Sequence, residues 1–156
     1  MKLQIFLITL TLSTASFSNM NKKPADYLDF LLSTSNAEII LYYDDGAIRG
    51  KIPLKKGVRE GRAHSYYPDG SKKSESYYID GKIDGVSKGW HNNGKLKGTE
   101  TVENGVRQGY RKSYYKSGVK KEIVLYKDGN PIDINMYHED GSILYSKDYR
   151  EGGLID

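Results

Sequence analysis

Basic side chains recur at a regular interval along this chain, in a pattern that would suit an anionic ligand. Arg49, Lys73, Lys97 and Lys121 each follow a recurring glycine by three positions, and Leu144 ends the series. If the intervening segments form hairpins of one sheet, these cations make a row with steps of roughly 9.6 Å. One interpretation is a solvated face that keeps the sheet soluble. The other is a ladder for an anionic polymer or for lipid head groups.

Few residues of the chain are candidates for a catalytic role. His91 and His138 occupy a repeat position that is otherwise tyrosine, so a structural role explains them as well as catalysis does. The pairs Asp44-Asp45 and Glu139-Asp140 lie at predicted turns, where Asp is expected for backbone reasons. Cys is absent, which excludes disulfides, thiolate metal sites and cysteine nucleophiles. We therefore predict no catalytic residue, no metal site and no cofactor, and a protein that is not an enzyme.

The composition narrows the class of protein. The 156 residues include 24 Lys and Arg against 20 Asp and Glu, a net charge of +4. This mild excess would help contact with anionic surfaces but does not resemble that of a nucleic-acid-binding domain. Hydrophobic residues make up 37%, which argues against a polytopic membrane protein, and 14 Tyr residues make the chain too aromatic for disorder.

Residues 1–18 have the order of a secretory signal peptide. A positive start at Lys2 precedes the apolar stretch from Leu3 to Leu12, and small residues follow up to Ser18. As a helix this stretch would span about 15 Å, which is too short for a membrane anchor. We predict an exported protein, periplasmic or secreted, with no transmembrane segment in the mature chain. The alternatives are a buried N-terminal strand, or initiation at Met20 to give a cytosolic product.

Residues 19–38 are predicted to be a cap or linker. Pro24 and the apolar side chains between Tyr27 and Leu32 favour a short helix that covers the first strand of the sheet. A docking peptide for a partner is the alternative.

The remaining residues, 39–156, form an array of repeats. Five glycines recur at spacings of 24, 24, 24 and 23 residues, and an aromatic residue precedes each of them by four positions. The glycines are Gly46, Gly70, Gly94, Gly118 and Gly141. The aromatic residues are Tyr42, Tyr66, Trp90, Tyr114 and Tyr137. A second glycine follows each first one by 11 positions, so five units fill the chain from Tyr42 to Asp156.

Each unit predicts one β-hairpin. Asn/Asp-Gly pairs such as Asp69-Gly70 and Asp80-Gly81 supply the positive φ of tight turns, and no segment between them keeps a helical period. The sequence therefore predicts an all-β fold. It is an elongated, largely single-layer antiparallel meander of about ten strands, built from five 24-residue hairpin repeats with a short N-terminal helix.

The core is predicted from the two columns of the repeat that keep their apolar or aromatic character. One is the aromatic column given above, and the other consists of Leu54, Tyr78, Val102, Tyr126 and Tyr149. We expect the two columns to stack into one narrow core. Positions such as Ser74, Ser76 and Glu100 are expected to face solvent.

In these residues the chain resembles the bacterial variant of the MORN repeat, whose units of the form YYxxGxxxxxxxYxxGxxxG make successive β-hairpins. The motifs YYPDG, YYIDGKIDG, VENGVRQG and YYKSG, between Tyr66 and Gly118, carry the resemblance most clearly. It implies a scaffold or binding surface for proteins and, in some cases, for membrane lipids. Similar proteins are often labelled YwqK-family antitoxins, which implies a cytosolic role rather than export.

The leading hypothesis is an exported, non-catalytic repeat protein that binds another protein in the bacterial envelope or outside the cell. Its contacts would come from the basic series and from outward aromatic side chains such as Tyr67, Tyr77 and Tyr115. One alternative is a binder of envelope glycan or anionic lipid. Another is a cytosolic, antitoxin-like partner of a toxin.

Overall fold

The computed structural model of the protein describes residues 5–8 and 36–150, and it shows one antiparallel sheet whose strands follow one another in chain order. The strands are β1 (Ile5–Ile8), β2 (Asn36–Tyr42), β3 (Ile48–Lys55), β4 (Val58–Arg59), β5 (Gly61–Tyr66), β6 (Lys72–Ile79), β7 (Lys82–Ile83), β8 (Gly85–Trp90), β9 (Leu96–Glu103), β10 (Val106–Tyr114), β11 (Lys120–Lys127), β12 (Asn130–Tyr137) and β13 (Ile143–Asp148). The short strands β4 and β7 pair only with β3 and β6. The predicted all-β antiparallel meander is confirmed.

The sheet is open within the described ranges, since its two ends, β1 and β13, each pair with a single neighbour. Strand β1 lies inside the predicted signal peptide and pairs with β2. The rest of that segment and the predicted N-terminal helix lie outside the described residues. No helix in the part of the chain that the structure describes is long and apolar enough to cross a bilayer.

Two kinds of turn alternate along the meander. At one kind both central residues have positive φ, as at Asp80 (47°) and Gly81 (80°), which is the two-residue type I′ turn of tight hairpins. At the other kind only the glycine has positive φ, as at Gly70 (80°), whose N–H donates to the carbonyl of Tyr67 at 2.9 Å. The register shifts beside this second kind of turn, where Tyr66 pairs with Lys72, because a bulge inserts one extra residue.

The register divides the side chains between two faces. A row of directly paired residues crosses six adjacent strands and consists of Gly50, Ser65, Ser74, Gly89, Gly98 and Ser113. We call the face that bears this row the trough face. The four buried hydrophobic residues among those described, Ala37, Leu54, Val102 and Val124, lie on it as well. The core is therefore thin and one-sided.

The prediction that the aromatic column of Tyr66 and the column of Tyr78 share one core is wrong. Ser65 pairs with Ser74 on the trough face, so its neighbour Tyr66 points to the opposite face. Tyr78 lies four residues after Ser74 and therefore returns to the trough face. Ser74, Ser76 and Glu100, which were expected to face solvent, are partly buried and lie on the same face as the core.

Successive repeats are joined by hydrogen bonds at both ends of the strands. At one end a side chain reaches a main-chain carbonyl of the next repeat. These contacts are Tyr43 to Tyr66 (2.7 Å), Tyr67 to Trp90 (2.8 Å), His91 to Tyr114 (2.9 Å) and Tyr115 to Tyr137 (2.9 Å). At the other end side-chain oxygens of Glu60, Asp84 and Gln108 accept the N–H of Asp80, Asn104 and Asp128. Equivalent residues of adjacent repeats are therefore held in register.

Candidate functional site

Adjoining cavities form a continuous trough across the trough face. A cavity of about 270 Å³ near β2 and β3 shares Ser74 and Ser76 with a central cavity of about 570 Å³. The central cavity shares Glu100 with a third one, of about 610 Å³. The first two cavities together extend from Leu41 on β2 to Met136 on β12. Nine strands at about 4.8 Å spacing give the trough a length of about 38 Å.

The floor of the trough is low because its residues carry little or no side chain. A Cβ added at Gly98 would stand 2.6 Å from the carbonyl oxygen of Lys112, so this position accepts only glycine without a backbone shift. Hydroxyl groups make up the rest of the floor. Ser65 Oγ and Ser74 Oγ lie 2.6 Å apart, and Ser87 Oγ donates to Ser76 Oγ at 2.9 Å. The floor thus offers polar groups without side chains that would block access to them.

One rim of the trough carries the predicted basic series. The ammonium group of Lys73 lies 5.6 Å from the ring centre of Tyr67, and that of Lys121 lies 5.5 Å from that of Tyr115. These are cation–π contacts between exposed lysines and half-buried rings. Lys97 lines the central cavity together with His91, which takes the place of the tyrosine in this repeat. The tyrosine hydroxyls are already used in the bonds between repeats, so the rings serve as platforms for the cations.

The other rim also combines cations with rings. Arg59 lies 5.5 Å from the ring centre of Tyr78, and Arg107 lies 5.5 Å from that of Tyr126. Arg107 also forms an ion pair with Glu100, whose hydrogen bond and charge raise the pKa of the guanidinium. Cationic groups therefore border the trough along both sides.

The unpaired charge in the trough is positive. Its two carboxylates are each held by an arginine, Glu100 by Arg107 and Glu122 by Arg111, the second pair at 2.8 Å. No carboxylate of residues 36–150 forms an ion pair with Lys73, Lys97 or Lys121. The same holds for Arg49, which lines the first cavity with Lys73. An anionic ligand would consequently meet cations that have no internal counter-ion.

The opposite face has a different character. Glu75 lies among three cationic or titratable partners there: it pairs with Arg62, lies 3.3 Å from His64 and lies 3.7 Å from Lys72. Burial acts to raise the pKa of Glu75, but Arg62 and the other neighbours outweigh it and leave the pKa lowered. Glu75 thus offsets the cations nearest to it, whereas Lys55 and Lys127 on the same face form no ion pair within residues 36–150.

The structure brings together all but one of the residues proposed as a binding face. Arg49, Lys73, Lys97 and Lys121 lie along one rim, and Tyr67 and Tyr115 lie beneath two of the lysines. Tyr77 is the exception, because it alternates with Ser76 and Tyr78 on β6 and lies on the opposite face. The Gly/Ser floor and the second rim were not predicted from the sequence. Small residues at Gly50, Gly89 and Gly98 were the available signal.

Within residues 5–8 and 36–150 no group of three or more His, Asp or Glu side chains could hold a metal ion. In the same ranges no buried side-chain nitrogen or oxygen lacks a hydrogen-bond partner.

Three stretches of the chain match a known repeat family. Residues 59–80, 83–104 and 107–128 each match the family described as MORN repeat variant. No curated protein matches the chain. MORN repeats are in general motifs that bind proteins or lipids.

Proposed function

We propose that this protein is an exported, non-catalytic repeat module that docks a segment of another protein in its trough. The observation that carries the proposal is the continuity of the trough, whose cavities share lining residues across successive repeats. An extended segment can therefore lie across the strands without interruption. The order of residues 1–18, typical of a signal peptide, supports export and a partner in the bacterial envelope or outside the cell.

Anionic lipid is the second candidate, and the row of lysines favours it. The recessed floor argues for a narrow chain instead, since a flat bilayer would touch the rims and leave the floor unfilled. A glycan strand is a further narrow ligand, and a toxin partner would require a cytosolic product. The experiments below separate these alternatives.

Site-specific photo-cross-linking in the producing cell tests the docking face. A photoreactive amino acid replaces Lys97 on the trough rim or, as the matched control, Lys127, which follows Tyr126 on β11 and so lies on the opposite face; both lysines are exposed. We expect a discrete protein adduct from position 97 and none from position 127. Equal adducts from both positions would contradict the proposal, and an adduct with lipid or glycan alone would favour the second class of ligand.

Export is tested separately by intact mass and cell fractionation of C-terminally tagged protein. Loss of about eighteen residues with recovery outside the cytoplasm is the expected result. A full-length or Met20-initiated cytosolic chain would instead make a toxin-like partner the leading candidate.

A further inference from the structure

We infer that the docked segment is acidic and lies in polyproline II conformation, with a carboxylate at every third residue facing Lys73, Lys97 and Lys121. The inference rests on the proposed function and adds the charge, the backbone conformation and the sequence period of the partner.

The charge of the segment follows from the three lysines. Each is exposed and none forms an ion pair with a described carboxylate, whereas Glu100 and Glu122 in the same trough are neutralised by arginines. Tyr67 and Tyr115 hold two of the ammonium groups against their rings. Cations that are positioned in advance and lack a counter-ion complement carboxylates on the ligand.

The period follows from the spacing of the repeats. Lys73, Lys97 and Lys121 lie on β6, β9 and β11, and each step crosses two strand intervals, about 9.6 Å. A polyproline II helix rises about 3.1 Å per residue and returns to the same side every three residues, a period of about 9.3 Å. Across the three lysines the accumulated mismatch is only about 0.6 Å.

Other conformations fit the spacing less well. A β-strand returns to the same side every two residues, about 6.7 Å. Two turns of an α-helix span about 10.8 Å, which is longer than the step of about 9.6 Å between the lysines. The helix is also about 10 Å wide, so it would need a wider trough than an extended chain does. The polyproline II conformation is the one that places a side chain at each lysine in turn.

The floor suits the backbone of such a segment. A polyproline II helix has no internal hydrogen bonds, so its carbonyl groups need partners when they leave water. Each serine pair of the floor keeps one hydroxyl hydrogen for the ligand: Ser76 accepts from Ser87 and can donate, and so can whichever of Ser65 and Ser74 accepts from the other. Gly89 and Gly98 have no side chain to hold the ligand backbone away from the sheet.

Two isomeric peptides separate the effect of the spacing of the carboxylates from the effect of their total charge. One repeats Glu-Pro-Pro four times, and the other has the same composition with its four Glu together followed by eight Pro. Each carries a fluorophore and is titrated with the full chain at low and moderate salt, with anisotropy as the readout. We expect the periodic isomer to bind at least about 10-fold more tightly, as three aligned carboxylate–lysine pairs would give. Equal affinities would overturn the inference.

Two variants assign the effect to the trough. Lys97→Glu should weaken the periodic peptide by about 10-fold, while Lys127→Glu on the opposite face should leave its affinity within about 2-fold. Both sites are exposed, and matched thermal midpoints would show that both variants are folded. Equal losses in the two variants would also overturn the inference.

The inference and the proposed function fail in different ways. A protein adduct at position 97 combined with equal affinity for the two peptides would leave the function in place and remove the polyproline II register. Lys97-dependent binding to vesicles containing an anionic phospholipid, without discrimination between the peptides and without a protein adduct, would overturn both.

Discussion

The hydroxyl of Tyr67 donates a 2.8 Å hydrogen bond to the main-chain carbonyl of Trp90, which lies 23 residues further along the chain. The same bond recurs between Tyr43 and Tyr66 and between Tyr115 and Tyr137. Because each bond joins one turn to the next repeat, the spacing of the cations above the turns is fixed by the scaffold.

Replacement of Tyr67 by Phe should destabilise the array by about 1 kcal/mol, because the carbonyl of Trp90 loses a partly buried donor. Urea denaturation followed by circular dichroism measures the change. Tyr77→Phe is the control, since Tyr77 is 42% exposed and its hydroxyl has no hydrogen bond within the described part of the chain. Equal effects of the two substitutions would show that the bond between repeats contributes nothing.

Gly98→Ala should cost about 1–3 kcal/mol, because the new methyl group would overlap the carbonyl oxygen of Lys112, 2.6 Å away, on the neighbouring strand. The same change at Gly89 should be far milder, since the nearest atom to its Cβ, the carbonyl oxygen of Lys73, is 3.7 Å away. The free energies of unfolding of the two variants test this order. A larger loss at Gly89 would contradict the close approach of β9 and β10.

Val124→Ala should lower stability by about 2 kcal/mol, because Val124 is the most buried core residue described, at 3% exposure. Val86→Ala removes the same two carbons from a side chain that is 50% exposed on the opposite face, and should change stability by less than about 0.5 kcal/mol. Thermal midpoints of the two variants provide the comparison. Similar losses would mean that the opposite face is covered in solution.

Acid stability should depend on Asp148. Side-chain and backbone hydrogen bonds from Arg150 lower the pKa of Asp148 from 3.8 to about 2. A lowered pKa in the folded state stabilises fully above the unfolded value and is lost as the pH falls toward the folded value. The thermal midpoint of the natural chain should therefore fall more steeply between about pH 5 and pH 2 than that of Asp148→Asn. Arg150→Gln should show the same shallower slope, and parallel curves for all three proteins would refute the pairing.

The repeat, the strands and the positive-φ turns were predictable from the sequence because each is local. The pair Asp80-Gly81 forms the type I′ turn that its residue types favour. Asp69-Gly70 has the same kind of residues but forms the bulged turn, in which only the glycine has positive φ. The two turns differ in the number of residues between the paired strand ends. The Asp-Gly motif does not reveal that number.

The assignment of residues to faces could not be predicted, since it depends on that bulge. One extra residue between Lys72 and Ser74 reverses the alternation, so Tyr66 and Tyr78 face opposite sides although both columns keep their aromatic character. Tyr77 was assigned to the binding face for the same reason. The lysine rim was predictable because its members are equivalent positions, which repeat symmetry places in one row whichever face they occupy.

The bond from Tyr67 to Trp90 and its equivalents also fix the length of trough that each repeat adds. A tandem duplication in the gene that copies 24 codons would insert one complete unit, with its own bond to the next, and lengthen the trough by about 9.6 Å without altering its cross-section. A duplication of 12 codons would place each kind of turn at the wrong end of the strands and leave the new tyrosine without its carbonyl. Evolution can therefore change the length of the bound segment only in whole steps.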